Sequence, residues 1–142
     1  MEALKANELR CGNLVTVNNP EYHPAITGQI MVVVGVESWR NPESIDLIFQ
    51  DKRKNMTNPC ASQWIEFIEG IQITEDWLMR GVFEKFRHIK DGIVFDNSWL
   101  RINESMVAYW RGGYIGKIKY VHTLQNIIFD LTGTELQFKP IK

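Results

Sequence analysis

The chain has 142 residues, of which 44% are hydrophobic and 23% are charged, so it can bury a core and is not expected to be disordered. Sixteen Lys and Arg residues against seventeen Asp and Glu residues give a net charge of −1, which argues against a protein that coats duplex nucleic acid. No apolar run approaches the roughly 20 residues that cross a bilayer. We therefore expect neither a membrane nor a duplex nucleic acid as a partner.

Two cysteines, Cys11 and Cys60, are too few for a disulfide scaffold, and the first residues lack the basic-then-apolar pattern of a signal peptide. Both observations predict a cytosolic protein. Cys11 precedes a predicted strand and is expected to be a small, buried or half-buried residue. The length predicts a single compact domain over 1–142, and it allows a subdivision into a β-rich half, 1–70, and an α+β half, 71–142.

The first half is predicted to form strands, because β-branched and apolar residues dominate its short runs. The predicted strands cover 13–18, 27–37, 45–50 and 63–68. Short strands at this spacing predict a strongly bent sheet or an SH3-like barrel. Trp39 falls in a loop between two of them, and two interpretations stay open: it anchors a ligand or an interface, or it closes the end of a barrel.

The second half is predicted to mix helices and strands. Thr74 caps a short helix over 75–80, and Gly81 ends that helix in the left-handed conformation. Extended segments follow at 82–88, 93–96, 99–103, 106–110 and 114–119. The glycine pair within 111–114 is expected to supply the positive φ of a tight hairpin turn.

The longest helix is predicted over 121–131, where four apolar residues repeat at three- and four-residue steps. These residues are Val121, Leu124, Ile128 and Leu131. Gly133 provides the stop signal, and a last short strand is expected over 135–138. The predicted fold class is α+β: a curved antiparallel sheet, SH3-like in its N-terminal half, with one main C-terminal amphipathic helix packed on it.

No set of residues points to catalysis or to a bound metal. His23, His88 and His122 are far apart in the sequence, and neither cysteine lies in a C-x-x-C pair. Phosphate-binding glycine motifs are also absent. We therefore expect a non-enzymatic protein without a cofactor or a metal.

Charge is distributed unevenly along the chain. Between residues 55 and 79 there are four acidic residues and no Lys or Arg, whereas between 105 and 129 there is no acidic residue. The second window contains Tyr109, Trp110, Arg111, Tyr114, Lys117, Lys119, Tyr120 and His122. Such a mixture suits a nucleotide, because phosphates accept from Arg and Lys and bases stack on aromatic rings. The alternative is that strand periodicity alone buries the aromatic residues and leaves the lysines, which would share one strand face, in water.

Three stretches of the sequence form an ordered set: E-L-R-C-G-N at 8–13, I-x-I-T-E-D-W-L-x-x-G-V-F-E-K at 71–85, and Y-V-H-T-L-Q-N-I-I-F-D-L-T-G-T-E-L at 120–136. Over nearly the whole chain, the sequence resembles a family of small phage and prophage proteins with an ELRxGN start and a YVHxLQNxxFxLTGxEL ending. The resemblance implies a phage protein that acts in the bacterial cytosol. Small accessory phage proteins of this size often counter host defences, and one class, the sponges, binds cyclic-nucleotide or cyclic ADP-ribose immune signals without destroying them.

The last of these motifs also has a physical interpretation. His122, Gln125 and Asn126 fall on the polar side of the predicted helix near its start, where free backbone N–H groups favour an anion. A phosphate bound there would meet His122, Lys119 and Arg111. The alternative is that His122 and Gln125 hydrogen-bond to the adjacent sheet and fix the orientation of the helix.

We hypothesise a homo-oligomeric anti-defence protein that binds and sequesters a nucleotide-derived immune signal of the cyclic oligonucleotide or cyclic ADP-ribose type. A site between subunits is expected because so small a chain offers little room to enclose a ligand alone. The candidate ligand-binding residues are Tyr109, Trp110, Arg111, Tyr114, Lys117, Lys119, His122 and Gln125. Three alternatives stay open: a module that inhibits or recruits a host or phage protein through its acidic and basic patches, a nucleic-acid-associated factor, and an enzyme that degrades the signal.

Overall fold

The computed structural model describes residues 4–50, 61–81, 83–88, 90, 92–97 and 100–139. The chain divides into two compact units, Met1–Ile71 and Gln72–Lys142. Each unit holds one five-stranded antiparallel sheet, and the second unit also holds the main helix. The α+β class with a C-terminal helix is therefore confirmed, with two sheets instead of one. No helix in the described part of the chain is long and apolar enough to cross a bilayer.

The strands of the first unit are β1 (Leu14–Val17), β2 (Ile30–Glu37), β3 (Ser44–Phe49), β4 (Ala61–Trp64) and β5 (Ile68–Gly70). They are arranged in the order β4-β3-β2-β1-β5. Within the described residues β4 and β5 are not hydrogen-bonded to each other, so the sheet does not close into a barrel.

Alternate residues of the three central strands form the core of the first unit. Val15 lies opposite Met31, and Val33 lies opposite Leu47. All four of these side chains are 0% exposed. Because successive side chains of a strand point to opposite faces, one face of the sheet is dry. Full burial of an aliphatic side chain contributes about 1.5–3 kcal/mol, so these buried side chains hold the sheet together.

The strand predicted over 63–68 is wrong in its middle. Ile65–Phe67 forms a 3-10 turn between β4 and β5, and the Ile65 N–H donates to the Glu43 carbonyl at 2.9 Å. β4 and β5 are opposite edges of the sheet, so the chain has to turn between them. The apolar residues within and beside the turn gave the segment the composition of a strand.

The second unit starts with the helix α1 (Glu75–Arg80) and ends with the helix α2 (Val121–Thr132). Its strands are β6 (Glu84–His88), β7 (Gly92–Asn97), β8 (Leu100–Asn103), β9 (Val107–Trp110) and β10 (Gly113–Lys117). The strand order β10-β9-β8-β7-β6 makes the sheet a simple meander, in which each strand pairs with its neighbour in the sequence.

The cap predicted for α1 is confirmed, but its ending is not as predicted. The Trp77 N–H donates to Thr74 Oγ1 at 3.4 Å. Gly81 has φ −88°, so it does not adopt the left-handed conformation. A Cβ atom at Gly81 would lie 3.0 Å from Cε1 of Phe138, so a larger residue there would require the Phe138 ring to shift by a few tenths of an ångström.

The main helix begins where it was predicted and ends one residue later. Val121, Leu124 and Ile128 are buried, as the apolar periodicity required, whereas Leu131, the fourth residue of the predicted stripe, is half-buried. Gly133 takes the left-handed conformation with φ 72°, and its N–H donates to the Phe129 carbonyl at 2.7 Å. The predicted stop signal is therefore confirmed.

The strand predicted over 135–138 does not form. The segment is an irregular tail that packs on α1, where the Phe138 and Trp77 rings meet edge to face at 5.2 Å. Arg80 Nε donates to the Lys139 carbonyl at 2.8 Å, and the Lys139 N–H donates to the Arg80 carbonyl at 2.7 Å. The tail makes these hydrogen bonds with the end of α1 instead of with a strand.

The hairpin between β9 and β10 turns one residue earlier than predicted. Trp110 pairs with Gly113, so the loop consists of Arg111 and Gly112, with φ 48° and 85°. Two positive φ values in a two-residue loop are the pattern of a type I′ turn, whose twist matches that of the strands. The positive φ was expected at Gly112 and Gly113, but the turn places it on Arg111 instead of Gly113.

Candidate functional site

The sheet of the second unit has one dry face. Leu100 and Ile102 of β8 are 0% exposed. The cross-strand neighbours of Ile102, Ala108 and Phe95, are also buried. Arg101 lies between the two buried β8 residues, and its side chain is 43% exposed. Arg101 therefore belongs to the opposite face.

That opposite face is the candidate site, and we call it the open face. One row crosses all five strands and consists of Tyr114, Tyr109, Arg101, Asp96 and Glu84. A β-bulge follows Tyr114, after which Lys117 pairs with Val107 and so returns to the same face. Phe86, two residues beyond Glu84 on β6, also belongs to it.

Two tyrosine rings form the aromatic part of the open face. The Tyr109 and Tyr114 ring centroids are 6.0 Å apart, with an angle of 71° between the planes. Tyr114 is 71% exposed, whereas Tyr109 is half-buried. The inner ring therefore supports the outer one edge to face, and the outer ring offers a flat surface to a ligand. Exposed Lys117 lies on the same strand as Tyr114.

Arg101 occupies the middle of the open face. Its guanidinium carbon lies 5.5 Å from the Phe86 ring centroid, and its Nη2 lies 3.7 Å from Oδ2 of Asp96. A half-buried ion pair of this length contributes little to stability, so the guanidinium can exchange Asp96 for another anion at low cost. Arg101 and Phe86 were not among the predicted site residues. The alternation of apolar and polar residues around Arg101 was the only sequence signal for them.

Trp110 and Arg111 do not share this face. Trp110 pairs with Leu100, so its side chain belongs to the opposite side of the sheet from Tyr109, and it is half-buried. Arg111 lies in the hairpin turn, where its guanidinium carbon is 5.2 Å from the Trp110 ring centroid. The structure therefore separates these two predicted ligand residues from the tyrosine pair.

Lys119 was expected to share a strand face with Lys117. The strand β10 ends at Lys117, and the Ile118 N–H donates to the Met106 carbonyl at 2.7 Å. Lys119 therefore lies outside the strand, where its Nζ is 5.3 Å from the Tyr120 ring centroid. Both lysines are exposed, but strand alternation does not align them.

His122 and Gln125 are buried, with 2% and 3% exposure, although they fall on the polar side of α2. The His122 ring stacks on Tyr120 at 5.3 Å, and its Nδ1 has no hydrogen-bond partner among the described residues. Burial lowers the pKa of His122 from 6.5 to about 4, so the imidazole is neutral at pH 7. A neutral, buried ring offers no positive charge to a phosphate. As ligand residues, His122 and Gln125 stay a prediction.

Cys11 is exposed, and not buried or half-buried as expected, because it lies in the turn that precedes β1. Cys60 lies outside the described residues. In the part of the chain that the structure describes, no three His, Cys, Asp or Glu side chains come together in a way that could hold a metal ion.

Comparison of the chain with protein-family models, with curated proteins and with solved structures gives no match. The resemblance to phage proteins therefore stays a prediction. Fold and site together define an α+β protein with two antiparallel sheets, of which the second exposes aromatic and cationic side chains on one face.

Proposed function

We propose that the open face binds a small nucleotide-type ligand and holds it without converting it. The observation that carries this proposal is the Tyr114 ring, 71% exposed and supported edge to face by Tyr109. A base that stacks on such a ring gains about 1–3 kcal/mol. Lys117 on the same strand and Arg101 across from Tyr109 are the donors for the phosphates.

Charge favours this unit as the binding one. Gln72–Lys142 contains ten Lys and Arg residues against eight Asp and Glu, whereas Met1–Ile71 contains six against nine. The near-neutral chain therefore combines a basic unit with an acidic one. A phosphate-bearing ligand is attracted to the first and repelled by the second.

Charge on the open face also limits the size of the ligand. Asp96 and Glu84 occupy its β7 and β6 positions, whereas Lys117 lies on β10. The distance across the five strands is about 19 Å, given a strand spacing of about 4.8 Å. A long nucleic-acid strand laid across the face would bring its phosphates over these carboxylates. A ligand of one to three nucleotides can stay over β8, β9 and β10.

Sequestration is the role we propose for this binding. The resemblance to phage proteins suggests that the ligand is an immune signal of the cyclic oligonucleotide or cyclic ADP-ribose type. Tyr114 is so exposed that a ligand stacked on it would keep its outer side in water. A second copy of the chain that covers the face would bury the ligand better, which supports a homo-oligomer.

Thermal unfolding tests the proposal with a panel of cyclic dinucleotides, cyclic trinucleotides and cyclic ADP-ribose isomers. A ligand at 100 times its Kd adds about 2.7 kcal/mol to the folded state, which raises Tm by several degrees. Tyr114→Ala should weaken binding by about 5- to 150-fold, the equivalent of one lost base stack. Tyr22→Ala, which removes an equally exposed ring from the other unit, and Lys5→Ala should leave it unchanged.

Three outcomes contradict the proposal. If no compound raises Tm, the protein does not bind a nucleotide of this kind. If the rise in Tm persists in Tyr114→Ala and in Lys117→Ala, the ligand does not bind at the open face. Ligand recovered in altered form after denaturation identifies an enzyme that degrades the signal.

The second candidate function, a protein-interaction module, is favoured by the exposed Trp39 and Trp64 of the first unit.

A further inference from the structure

Two tryptophans are exposed at the same end of the first sheet. Trp39 is 77% exposed and Trp64 is 51% exposed. Ser44, the first residue of β3, pairs with Glu37 on one side and with Trp64 on the other. The turn that carries Trp39 begins directly after Glu37, so both indoles lie where β2, β3 and β4 meet this end.

Three acidic residues lie close to these tryptophans in the sequence or in the strand pairing. We call the set formed by Glu37, Trp39, Arg40, Glu43, Trp64 and Glu66 the tryptophan surface. The Glu43 carbonyl accepts from the Ile65 N–H at 2.9 Å, which ties the turn to the residue after Trp64. Neither Glu43 nor Glu66 has an ion-pair partner among the described residues. The tryptophan surface therefore combines large exposed rings with unpaired negative charge.

Arg40 is a cationic side chain that this surface already holds. Its guanidinium carbon lies 5.0 Å from the Trp39 ring centroid, and its Nε lies 3.4 Å from Oε1 of Glu37. One ring and one carboxylate together thus hold a cationic side chain. Stacking on an indole and pairing with a carboxylate are the two interactions that a guanidinium makes best.

Trp64 is a second exposed indole, and no cationic side chain of the described residues lies over its ring. One side of its ring packs on Phe67, with centroids 6.2 Å apart and an interplanar angle of 18°. Half of the Trp64 side chain remains exposed. Glu66 follows Trp64 by two residues, and Glu43 precedes Ser44, the strand partner of Trp64. A second guanidinium or ammonium group can lie on the free side of this indole.

We infer that the tryptophan surface binds a basic segment of a partner protein, with an Arg or Lys side chain on the indole of Trp64 and with Glu43 and Glu66 attracting the positive charge of the segment. Three carboxylates and Arg40 give this surface a net charge of −2, which disfavours a nucleic acid or an anionic lipid surface as the partner. Glu37 and Trp64 are two strand spacings apart, about 10 Å, which an extended segment of about three residues spans. This binding is independent of any nucleotide on the open face.

Fluorescence anisotropy of a dye-labelled peptide tests the inference. The probe is a nonapeptide of alternating arginine and glycine, and the matched control peptide carries glutamate at each arginine position. The arginine peptide should bind and the glutamate peptide should not. Binding should weaken as salt is raised, because exposed charges are screened beyond about 8 Å at physiological ionic strength.

Two variants of the tryptophan surface remove its two interactions separately. Trp64→Ala should weaken binding about tenfold, a typical value for the loss of a cation–π contact. The double variant Glu43→Gln with Glu66→Gln keeps the shape of the surface, and should weaken binding to a similar degree and flatten its salt dependence. Tyr114→Ala and Asp130→Asn, which remove an exposed ring and an exposed carboxylate from the other unit, are the matched controls and should bind as the unmodified chain does.

The inference is overturned if the arginine peptide does not bind, or if both variants bind it as tightly as the unmodified chain does. It is also overturned if sedimentation shows self-association that Trp64→Ala abolishes, because the occupant is then a second copy of this chain. Trp64→Ala should keep any nucleotide-induced rise in Tm, and Tyr114→Ala should lose that rise but keep peptide binding. Failure of either proposal is thereby distinguished from failure of the other.

Discussion

The stability of this protein should fall between pH 8 and pH 5 because of one buried imidazole. His122 is 2% exposed, and burial lowers its pKa from 6.5 to about 4. Above pH 6.5 the imidazole is neutral in both the folded and the unfolded state. Between pH 6.5 and pH 4 the unfolded chain takes up a proton that the folded chain does not, so stability is lost as the pH falls.

The size of this loss follows from the two pKa values. At pH 5 the folded state should be about 2 kcal/mol less stable than at pH 8, and below pH 4 the loss should level off at about 3 kcal/mol. For a chain of this size the loss at pH 5 lowers Tm by about 6–8 °C.

Urea unfolding at intervals between pH 8 and pH 5 measures the effect, and a variant isolates it. His122→Phe keeps a ring against Tyr120 but cannot take up a proton. Between pH 8 and pH 5 its free energy of unfolding should therefore fall by about 2 kcal/mol less than that of the unmodified chain. His23→Gln removes an exposed histidine and should follow the unmodified chain. If the free energy of unfolding depends on pH in the same way in the unmodified chain and in His122→Phe, burial does not keep the imidazole neutral.

Two further substitutions test the local structure of the second unit. Arg111 has φ 48° in the hairpin turn, a conformation that costs a residue with a Cβ about 1 kcal/mol, so Arg111→Gly should raise the free energy of unfolding by roughly that amount in urea titrations. A decrease would mean that the Arg111 side chain contributes more than its backbone costs. Thr74→Ala removes the side-chain oxygen that accepts from the Trp77 N–H, and it should cost about 1 kcal/mol, whereas Thr74→Ser should cost much less.

Local signals were sufficient for the helices. The main helix follows from the spacing of residues such as Leu124 and Ile128, and α1 follows from the capping oxygen of Thr74. Both depend only on residues within one or two turns. The errors arise at positions whose conformation is set by contacts with other strands and not by their neighbours in the sequence. The turn at Arg111 was displaced by one residue because the twist of two paired strands selects the turn type.

The candidate site depends on strand register, which the sequence leaves open. A window without acidic residues grouped Tyr109 with Trp110, although neighbouring residues of a strand point to opposite faces. The same window excluded Arg101 and Phe86, which the pairing of β6 to β9 brings onto the face of Tyr109. Strand neighbours that are distant in the sequence cannot be grouped until the register of each strand is known.

The net charge of −1 argues against nucleic-acid binding only if the chain acts as one electrostatic body. The two units carry opposite excesses of charge, and each has its own buried strands. Screening weakens each exposed charge beyond about 8 Å at physiological ionic strength, so a ligand responds more strongly to the side chains within that distance than to the total charge of the chain. Lys117 and Arg101 are therefore relevant to a phosphate on the open face, and Glu43 and Glu66 to a cation on the tryptophan surface. A near-neutral chain can hold an anion and a basic segment at once.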